Sequence, residues 1–168
     1  MKVVSNAGPL IALGKLGRLD ILRKLYGTVL VAEEVYEEVV TSGVAYGAPD
    51  AYLIREYFSE GAFEKRQVEI VELGREARIE DGERATIELA LREGAEFVLI
   101  DDAVARGVAE KHGLRVKGTL GVLLEAVRKG ILTMDEGIIL IHQIKRRRDI
   151  WIRDSLCDLA LEGLRRLK

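Results

Sequence analysis

The sequence predicts an α/β fold with a central parallel sheet and helices on both of its faces. Short apolar runs, typical of buried strands, alternate with longer segments of helical periodicity along most of the 168 residues. No internal repeat or low-complexity segment interrupts this alternation. The length suits one domain with a sizeable core. We therefore expect a three-layer α/β/α arrangement, followed by helices at the C-terminal end.

The first half of the chain supplies the opening strands of the predicted sheet. Pro9 suits the first turn of a helix, and Gly27 ends the next one. The segment after Gly27 is apolar and β-like, whereas SGVAYGAPDA reads as a loop because it is rich in Gly. The predicted elements are strands at residues 3–4, 28–31 and 68–73, helices from residue 9 and over 19–26, 33–41 and 51–60, and a loop over 42–51.

The second half contains the clearest unit of alternating structure, GERATIELALREGAEFVLIDD. Its helix ends at Gly94, and its apolar strand over residues 97–100 leads into Asp101 and Asp102. Further predicted elements are a helix over 103–113, a strand over 115–117, a helix over 120–130 and two closing helices. Thr133 and Glu136 form a capping-box pattern at the start of the first closing helix. The last helix has Ile152, Leu156, Leu159 and Gly163 on one side, which we expect to pack on the body or on a second subunit.

Composition excludes several classes of protein. The apolar runs are too short to span a membrane, and the single Cys157 cannot form an internal disulfide, so a reducing cytoplasm is the expected location. The net charge of −2 gives no general case for nucleic-acid binding. However, residues 145–168 carry eight basic and four acidic residues, an excess of four positive charges. An acidic body and a basic end predict a metal site at one place and a polyanion site at another.

Polar side chains follow two of the predicted strands. Asn6 ends the first strand, and Asp101 and Asp102 end the strand over residues 97–100. Glu83 opens the helix before that strand, and Glu38 lies on the helix after the second strand. Ligands of open α/β sheets gather at the carboxyl ends of strands, and converging carboxylates repel one another unless a cation joins them. Oxygen ligands suit Mg²⁺ or Mn²⁺, which predicts metal-dependent phosphoryl transfer, although any one of these acids alone could be solvated surface.

A family resemblance rests on five segments taken in order. They are VVSNAGPLIALGKLGRLDILRKLYG, EEVYEEVV, GERATIELA, LIDDAVARGVAEKHGL and VKGTLGVLLEAVRKG. Together they resemble the PIN-domain superfamily, most closely its DUF3368-type branch of archaea and bacteria. The resemblance runs from about residue 3 to residue 131, so we expect a PIN-like domain over 1–131 and a helical extension over 132–168.

The resemblance implies a ribonuclease that uses Mg²⁺ or Mn²⁺ and a set of acidic residues. Many relatives are toxins of toxin–antitoxin pairs, and many form homodimers, so RNA, a small antitoxin and a second copy of the chain are the implied partners. The site positions fall on Asn6, Glu38, Glu83 and Asp101, with Glu37 or Glu34 in place of Glu38 if the register slips. Asp102 is implied as an additional metal contact.

Two residues depart from the family pattern. Asn6 stands where the family usually has Asp, and Leu99 stands where relatives often have Ser or Thr. An Asn oxygen can bind a hard cation, but it brings no charge and cannot act as a base. The alternative function is therefore a catalytically impaired PIN-like module that binds RNA or a protein partner.

Other readings remain for single features. The run KRRR over residues 145–148 can bind RNA phosphates, form a solvated helix end or make a dimer contact. Trp151 can stack on a base, although an interface or core position is commoner for Trp. Arg106 can reach a phosphate or pair with a local acid. A receiver-like fold would place an acidic pair where Ser5 and Asn6 stand, and a Rossmann site would need a G-x-G-x-x-G motif after the first strand.

Overall fold

The computed structural model describes residues 1–167 and confirms the predicted α/β class. Five strands form one all-parallel sheet in the order β3-β2-β1-β4-β5. Val3 of the central strand pairs with Val29 on one side and with Phe97 on the other. The strands are β1 Val3–Ser5, β2 Val29–Ala32, β3 Phe63–Arg66, β4 Phe97–Leu99 and β5 Val116–Lys117.

Helices connect consecutive strands and cover both faces of the sheet. The helix after β2 changes from α to π geometry at Glu37, and the π segment runs over Glu37–Ser42. The α-helices are α1 Ala7–Lys15, α2 Asp20–Tyr26, α3 Glu33–Tyr36, α4 Gly43–Ala45, α5 Pro49–Ser59, α6 Asp81–Glu93, α7 Ala103–Lys111, α8 Thr119–Arg128, α9 Met134–Arg146 and α10 Asp154–Arg165.

The core lies between the sheet and its helices. Every residue of β1 and β2 is buried, as expected of strands in the middle of a parallel sheet. Helix α6 packs against β1, β2 and β4, whereas α8 packs against α1, α2 and β5. This packing places the N-terminal ends of α1, α6, α7 and α8 close to the carboxyl edge of the sheet, because each of these helices opposes the parallel strands.

Two predicted elements are wrong. The third strand is Phe63–Arg66, and residues 68–73 form no strand; Leu73 is buried there, but Ile70 and Val71 are exposed. The charged edge strand lacks the apolar alternation that marks a strand, with Phe63 its one fully buried residue. The predicted loop over 42–51 contains α4 and the start of α5 at Pro49, a favourable first-turn position for Pro.

The last helix packs on the body only partly through the predicted residues: Gly163 and Ile152 contact it, whereas packing on a second subunit stays a prediction. Cys157, Ala160 and Leu164 face the core, and Leu156 and Leu159 are exposed. Gly163 lies against Leu124 of α8, where an added Cβ would come within 2.9 Å of the Leu124 side chain. Both α9 and α10 pack on α8 and on each other. The division into residues 1–131 and 132–168 stays a prediction.

The capping box predicted for α9 is confirmed. The backbone N–H of Glu136 donates to the Thr133 hydroxyl at 3.1 Å, and the N–H of Thr133 donates to the Glu136 carboxylate at 2.7 Å. Trp151 is 92% exposed, so its interpretation as a core residue is wrong. None of the helices within residues 1–167 is long and apolar enough to cross a bilayer.

Candidate functional site

Asn6 lies at the junction of β1 and α1. Its backbone is extended, its N–H donates to the carbonyl of Leu99 in β4 at 2.9 Å, and its side chain is 7% exposed. The side-chain amide lies 3.3 Å from the hydroxyl of Thr86 in α6. That hydroxyl has one proton, and the carbonyl of Gly82 takes it at 2.8 Å. An amide orientation in which Asn6 donates to Thr86 Oγ1 satisfies both contacts and leaves Oδ1 to accept from a ligand.

Glu38 reaches the same edge from the π segment. Its carboxylate lies 3.5 Å from the position that a Cβ on Gly82 would occupy, next to the first turn of α6. Among residues 1–167 it has no hydrogen-bond partner. Partial burial raises the pKa of Glu38, and the negative charges of Glu80 and Glu83 raise it further. A carboxyl group in this condition binds a proton or a cation more readily than an isolated surface glutamate.

Glu83 occupies the third position of α6. Its carboxylate accepts a hydrogen bond from the backbone N–H of Glu80 at 2.9 Å, which caps the helix. Burial raises the pKa of Glu83, the bond from Glu80 opposes the rise, and the charges of Asp102 and Glu80 add to it. Glu83 therefore has both the capping role of a first-turn acid and the electrostatic coupling expected of a site residue.

Asp101 lies two residues after the end of β4 and faces the start of α8. Its carboxylate accepts from the backbone N–H of Thr119 at 2.7 Å and from the Thr119 hydroxyl at 2.6 Å. A Cβ on Gly8 of α1 would lie 3.3 Å from Asp101 Oδ2. Burial raises the pKa of Asp101, and the two bonds from Thr119 and the charge of Arg106 work in the opposite direction. Asp101 thus lies between the first turns of two helices.

Asp102 is exposed and begins α7. Its side chain accepts from the backbone N–H of Ala105 at 2.9 Å, so it is the N-cap of that helix. Its negative charge raises the pKa of Glu83, so the two carboxylates influence each other across the sheet edge. Arg106, one turn along α7, donates to the carbonyl of Ile100 at 3.1 Å. Within residues 1–167 Arg106 forms no ion pair, and it acts on Asp101 through its charge alone.

The predicted residues therefore form two neighbouring sets. Around the start of α6, Glu83 is coupled electrostatically to Glu38 and to Asp102, and Asn6 contacts Thr86 of the same helix. Asp101 is turned toward Thr119. No three His, Cys, Asp or Glu side chains within residues 1–167 are arranged as they stand to hold a metal ion.

The donor set nevertheless fits a hard divalent cation in its chemistry. All of the converging groups are carboxylate or amide oxygens, which Mg²⁺ and Mn²⁺ prefer. One further observation supports the fit: Oε2 of Glu34, one helical turn before Glu38, is buried without a hydrogen-bond partner among the described residues. A buried, unpartnered carboxylate oxygen is costly unless a cation or water satisfies it.

Several contributors are not evident from sequence. Glu80 adds charge to the cluster, Thr86 orients Asn6, and Thr119 binds Asp101. Arg84 secures the loop before α6, donating to the carbonyls of Glu76 and Ile79 and to Asp81. The segment GTLG contains Thr119 and was part of the family pattern, so that signal was present. The π geometry that carries Glu38 leaves no mark in the sequence.

The DUF3368 family model, described as a PIN domain, matches residues 2–166. The chain therefore belongs to the DUF3368 family of PIN domains, and PIN domains are generally nucleases. The match runs through α9 and α10 as well as the sheet. A solved domain of a functionally unknown protein from Methanocaldococcus jannaschii is similar, with 18% identity over 70% of this chain and 91% of that chain and a TM-score of 0.47. No curated protein matches the chain significantly.

Proposed function

We propose that this PIN domain is a ribonuclease that hydrolyses RNA phosphodiester bonds with the help of Mg²⁺ or Mn²⁺. The observation that carries the proposal is that Glu38, Glu83 and Asp102 converge at the start of α6: the charge of Glu83 raises the pKa of Glu38, and the charge of Asp102 raises the pKa of Glu83. Such a concentration of negative charge repels an RNA backbone unless a cation is present. A structural helix cap explains Glu83 and Asp102 individually, but it does not explain Glu38, which caps no helix.

The proposed metal-binding residues are Asn6, Glu38, Glu83 and Asp101, with Asp102 as an additional contact. A divalent cation held by them would supply an activated water and stabilise charge on the scissile phosphate. Asn6 contributes a neutral oxygen, so the remaining charge of the site comes from carboxylates. Glu38 has a raised pKa and no hydrogen-bond partner among residues 1–167, so it is the group suited to accept a proton from the attacking water.

Cleavage of a labelled single-stranded RNA in the presence of Mn²⁺ tests this function. We expect Glu38→Gln and Glu83→Gln each to lower the rate by about 10²-fold or more, since each removes a charge or a proton acceptor. Glu37→Gln is the matched control, because Glu37 lies on the same π segment but is not among the charges that raise the pKa of Glu38 or Glu83. Equal cleavage by all three variants, or cleavage undiminished by EDTA, would contradict the proposal.

The second candidate function is a catalytically silent module that binds RNA or a protein. Two observations favour this function: Asn6 brings no charge to the edge of the sheet, and both carboxylate oxygens of Asp101 accept hydrogen bonds from Thr119. Calorimetric titration with Mn²⁺ separates the two functions. A silent module should bind Mn²⁺ weakly or not at all, whereas the nuclease should bind it in a manner that depends on Glu38 and Glu83.

The family resemblance alone carries four further proposals. They are the role of toxin in a toxin–antitoxin pair, a small antitoxin partner, a homodimeric assembly and a cytoplasmic location. A small antitoxin-like reading frame beside the gene would support the first two. Light scattering during size-exclusion chromatography measures the assembly, with a mass of twice 18.7 kDa expected for the dimer.

A further inference from the structure

The acidic edge does not by itself attract an RNA strand, so the binding charge must come from another part of the molecule. A surface pocket of about 400 Å³ lies at the other end of α1 and is lined by Lys15, Leu16, Gln143, Arg146 and Arg147. Three of these five residues are cations, and none is acidic. We call this feature the basic pocket.

The basic pocket is held in shape by hydrogen bonds beneath it. Arg147 donates to both carboxylate oxygens of Asp149, at 2.8 and 2.7 Å, and to the carbonyl of Lys15 at 2.9 Å. Lys15 in turn donates to the carbonyl of Asp149 at 2.7 Å. The Lys15 ammonium also lies 3.7 Å from the Asp149 carboxylate, so one acid fixes two cations in place and offsets one of the three positive charges of the pocket. Arg146 is exposed and has no ion-pair partner among residues 1–167, so its full charge faces solvent.

The least buried residues of α1 run from the acidic edge toward the basic pocket. Along α1, Gly8, Ile11 and Lys15 are the residues that are not buried, and their spacing of three and four puts them on one stripe. Gly8 lies against Asp101, and Lys15 lines the pocket. The seven-residue separation corresponds to about 10 Å along the helix. A polyanion bound in the pocket therefore needs to extend only about 10 Å along α1 to reach the acidic edge.

Trp151 adds an exposed aromatic ring in the loop that follows the basic pocket in the chain. It follows Asp149 by two residues and is 92% exposed, although both of its neighbours are anchored: Ile150 is buried, and Ile152 packs against the core. The loop therefore displays the indole outward from a fixed backbone. Fixed cations next to an exposed aromatic ring are the combination by which proteins bind single-stranded nucleic acid, through phosphate contacts and base stacking.

We propose that the basic pocket and Trp151 bind the backbone and a base of a single-stranded RNA whose neighbouring nucleotides extend along α1 to the acidic edge. This inference rests on the proposed function for its choice of RNA. The inference goes beyond the proposed function in location, because it assigns substrate binding to the end of α1 and to the loop after α9. An acidic protein segment and a second copy of the chain are the competing occupants.

Trp151 is the single Trp of the chain, so its fluorescence reports on the pocket directly. The full chain is titrated in EDTA with a short oligouridylate, and affinity is measured separately from the anisotropy of a labelled strand. We expect saturating RNA to quench Trp151. Arg146→Gln and Lys15→Gln should each weaken binding about five- to tenfold and reduce the slope of log K against log salt by about 0.7. Trp151→Ala should weaken it about tenfold with little change of slope, and Trp151→Phe much less.

Arg128→Gln is the matched control. Like Arg146, Arg128 is exposed and has no ion pair among residues 1–167. It differs in position: Arg128 lies before the start of α9, and Arg146 is at the end of that helix, which is about 20 Å long. It should change affinity by less than about twofold. Equal weakening by Arg128→Gln and Arg146→Gln, or unchanged Trp151 emission at saturation, would overturn the proposal. The proposal would also be overturned if polyglutamate displaced RNA as effectively as unlabelled RNA does, because the pocket would then bind an acidic protein segment equally well. It would likewise be overturned if Trp151 fluorescence fell with rising protein concentration in the absence of RNA, because a second copy of the chain would then occupy the pocket.

The two proposals fail in different ways. RNA binding at the basic pocket without Mn²⁺-dependent cleavage would remove the nuclease function and leave the pocket assignment standing. Cleavage with an unchanged KM in Arg146→Gln and Trp151→Ala would remove the pocket assignment and leave the nuclease function. Circular dichroism of each variant establishes that it is folded before either comparison is made.

Discussion

Asp101 accepts two hydrogen bonds from Thr119, one from the backbone N–H and one from the hydroxyl, so the carboxylate at the end of β4 fixes the first turn of α8. The residue implied as a metal ligand is thus also a structural link between two elements. Each carboxylate oxygen keeps a second lone pair, so the link does not prevent Asp101 from binding a cation as well.

The Thr119 link predicts a measurable loss of stability. Thr119→Val removes the hydroxyl donor and leaves one oxygen of a buried carboxylate short of a partner, so we expect the free energy of unfolding to fall by about 1–3 kcal/mol. Urea denaturation measures it. Thr28→Val is the control, because Thr28 is exposed and forms no side-chain hydrogen bond among residues 1–167. A Thr119→Val protein as stable as the wild type would show that the link contributes nothing.

Asn6→Asp places a carboxylate where the family resemblance implies one. The added charge is repelled by the acidic edge in EDTA and is attracted by a bound cation, so the variant should gain more stability from Mn²⁺ than the wild type does. A tenfold gain in Mn²⁺ affinity would raise the Mn²⁺-induced change in Tm by roughly 3–5 °C. Differential scanning fluorimetry with and without Mn²⁺ measures this, with Asn6→Ser as the neutral control. Identical Mn²⁺ effects in Asn6→Asp and Asn6→Ser would exclude a cation beside residue 6.

Glu88 predicts a local change in the loop before α6. Its carboxylate is 1% exposed and accepts from the backbone N–H groups of Glu72 and Leu73, at 3.0 and 3.1 Å. Glu88→Gln exchanges one acceptor oxygen for an NH2 donor, so we expect a loss of about 1–3 kcal/mol and a looser loop. Trypsin should then cut after Arg75 and Arg78 faster than in the wild type, as followed by mass spectrometry. The exposed Glu96 gives the control Glu96→Gln, and equal cleavage rates in both variants would contradict the anchoring role.

Glu125 predicts a pH dependence. It is buried, accepts from the Tyr26 hydroxyl at 2.9 Å and from Lys129 at 3.1 Å, and forms an ion pair with Lys117. Burial acts to raise the pKa of Glu125, but the bonds from Lys117, Tyr26 and Lys129 outweigh it and hold that pKa below its ordinary 4.5. A lowered pKa contributes stability above the unfolded-state value, and that stability is lost as the pH falls through the folded-state value.

Glu125→Gln should therefore lower the free energy of unfolding by about 2 kcal/mol at neutral pH, since Lys117 loses its partner in a partly buried site. The difference from the wild type should shrink as the pH falls below 4.5, because protonated Glu125 no longer holds the cations. Urea denaturation at neutral and acidic pH measures both. A difference that stays constant with pH would mean that the charge of Glu125 does not stabilise the fold.

Local patterns in the sequence predicted most of the fold. The apolar runs at residues 3–4 and 97–100, the ends of helices at Gly27 and Gly94, and the capping box at Thr133 are all short-range signals, and all are confirmed. The edge strand β3 was misplaced because its sequence, FEKR, is charged and pairs on one side only. The packing of α10 was predicted only in part, because Leu156 and Leu159 lie next to the buried Cys157 and Ala160, and long-range packing decides between neighbouring apolar positions.

Sequence patterns indicated the acids of the candidate site that follow a strand or open the helix before it. They did not indicate the residues that reach the candidate site through contacts between elements distant in the sequence. Asp101, Asp102 and Glu83 were indicated by their positions beside the strand over residues 97–100. Thr86 acts through a contact with Asn6, 80 positions away, which no local pattern marks. Thr119 lies in the GTLG segment of the family pattern, but its contact with Asp101, 18 positions away, is not evident from the sequence alone. Glu34 and Glu38 belong to an acid-rich helix in which the sequence does not distinguish one acid from another. The basic pocket combines α1 with the end of α9, and the KRRR run alone left its role open.

Diffraction from crystals soaked in Mn²⁺, with an anomalous difference map, tests the central claim most directly. The account predicts a peak at the carboxyl edge of the sheet, within bonding distance of Glu38 and Glu83, that disappears in Glu83→Gln. A map without a peak at that edge at saturating Mn²⁺, or a peak unaffected by the substitution, would contradict the assignment of a metal-dependent site to these residues.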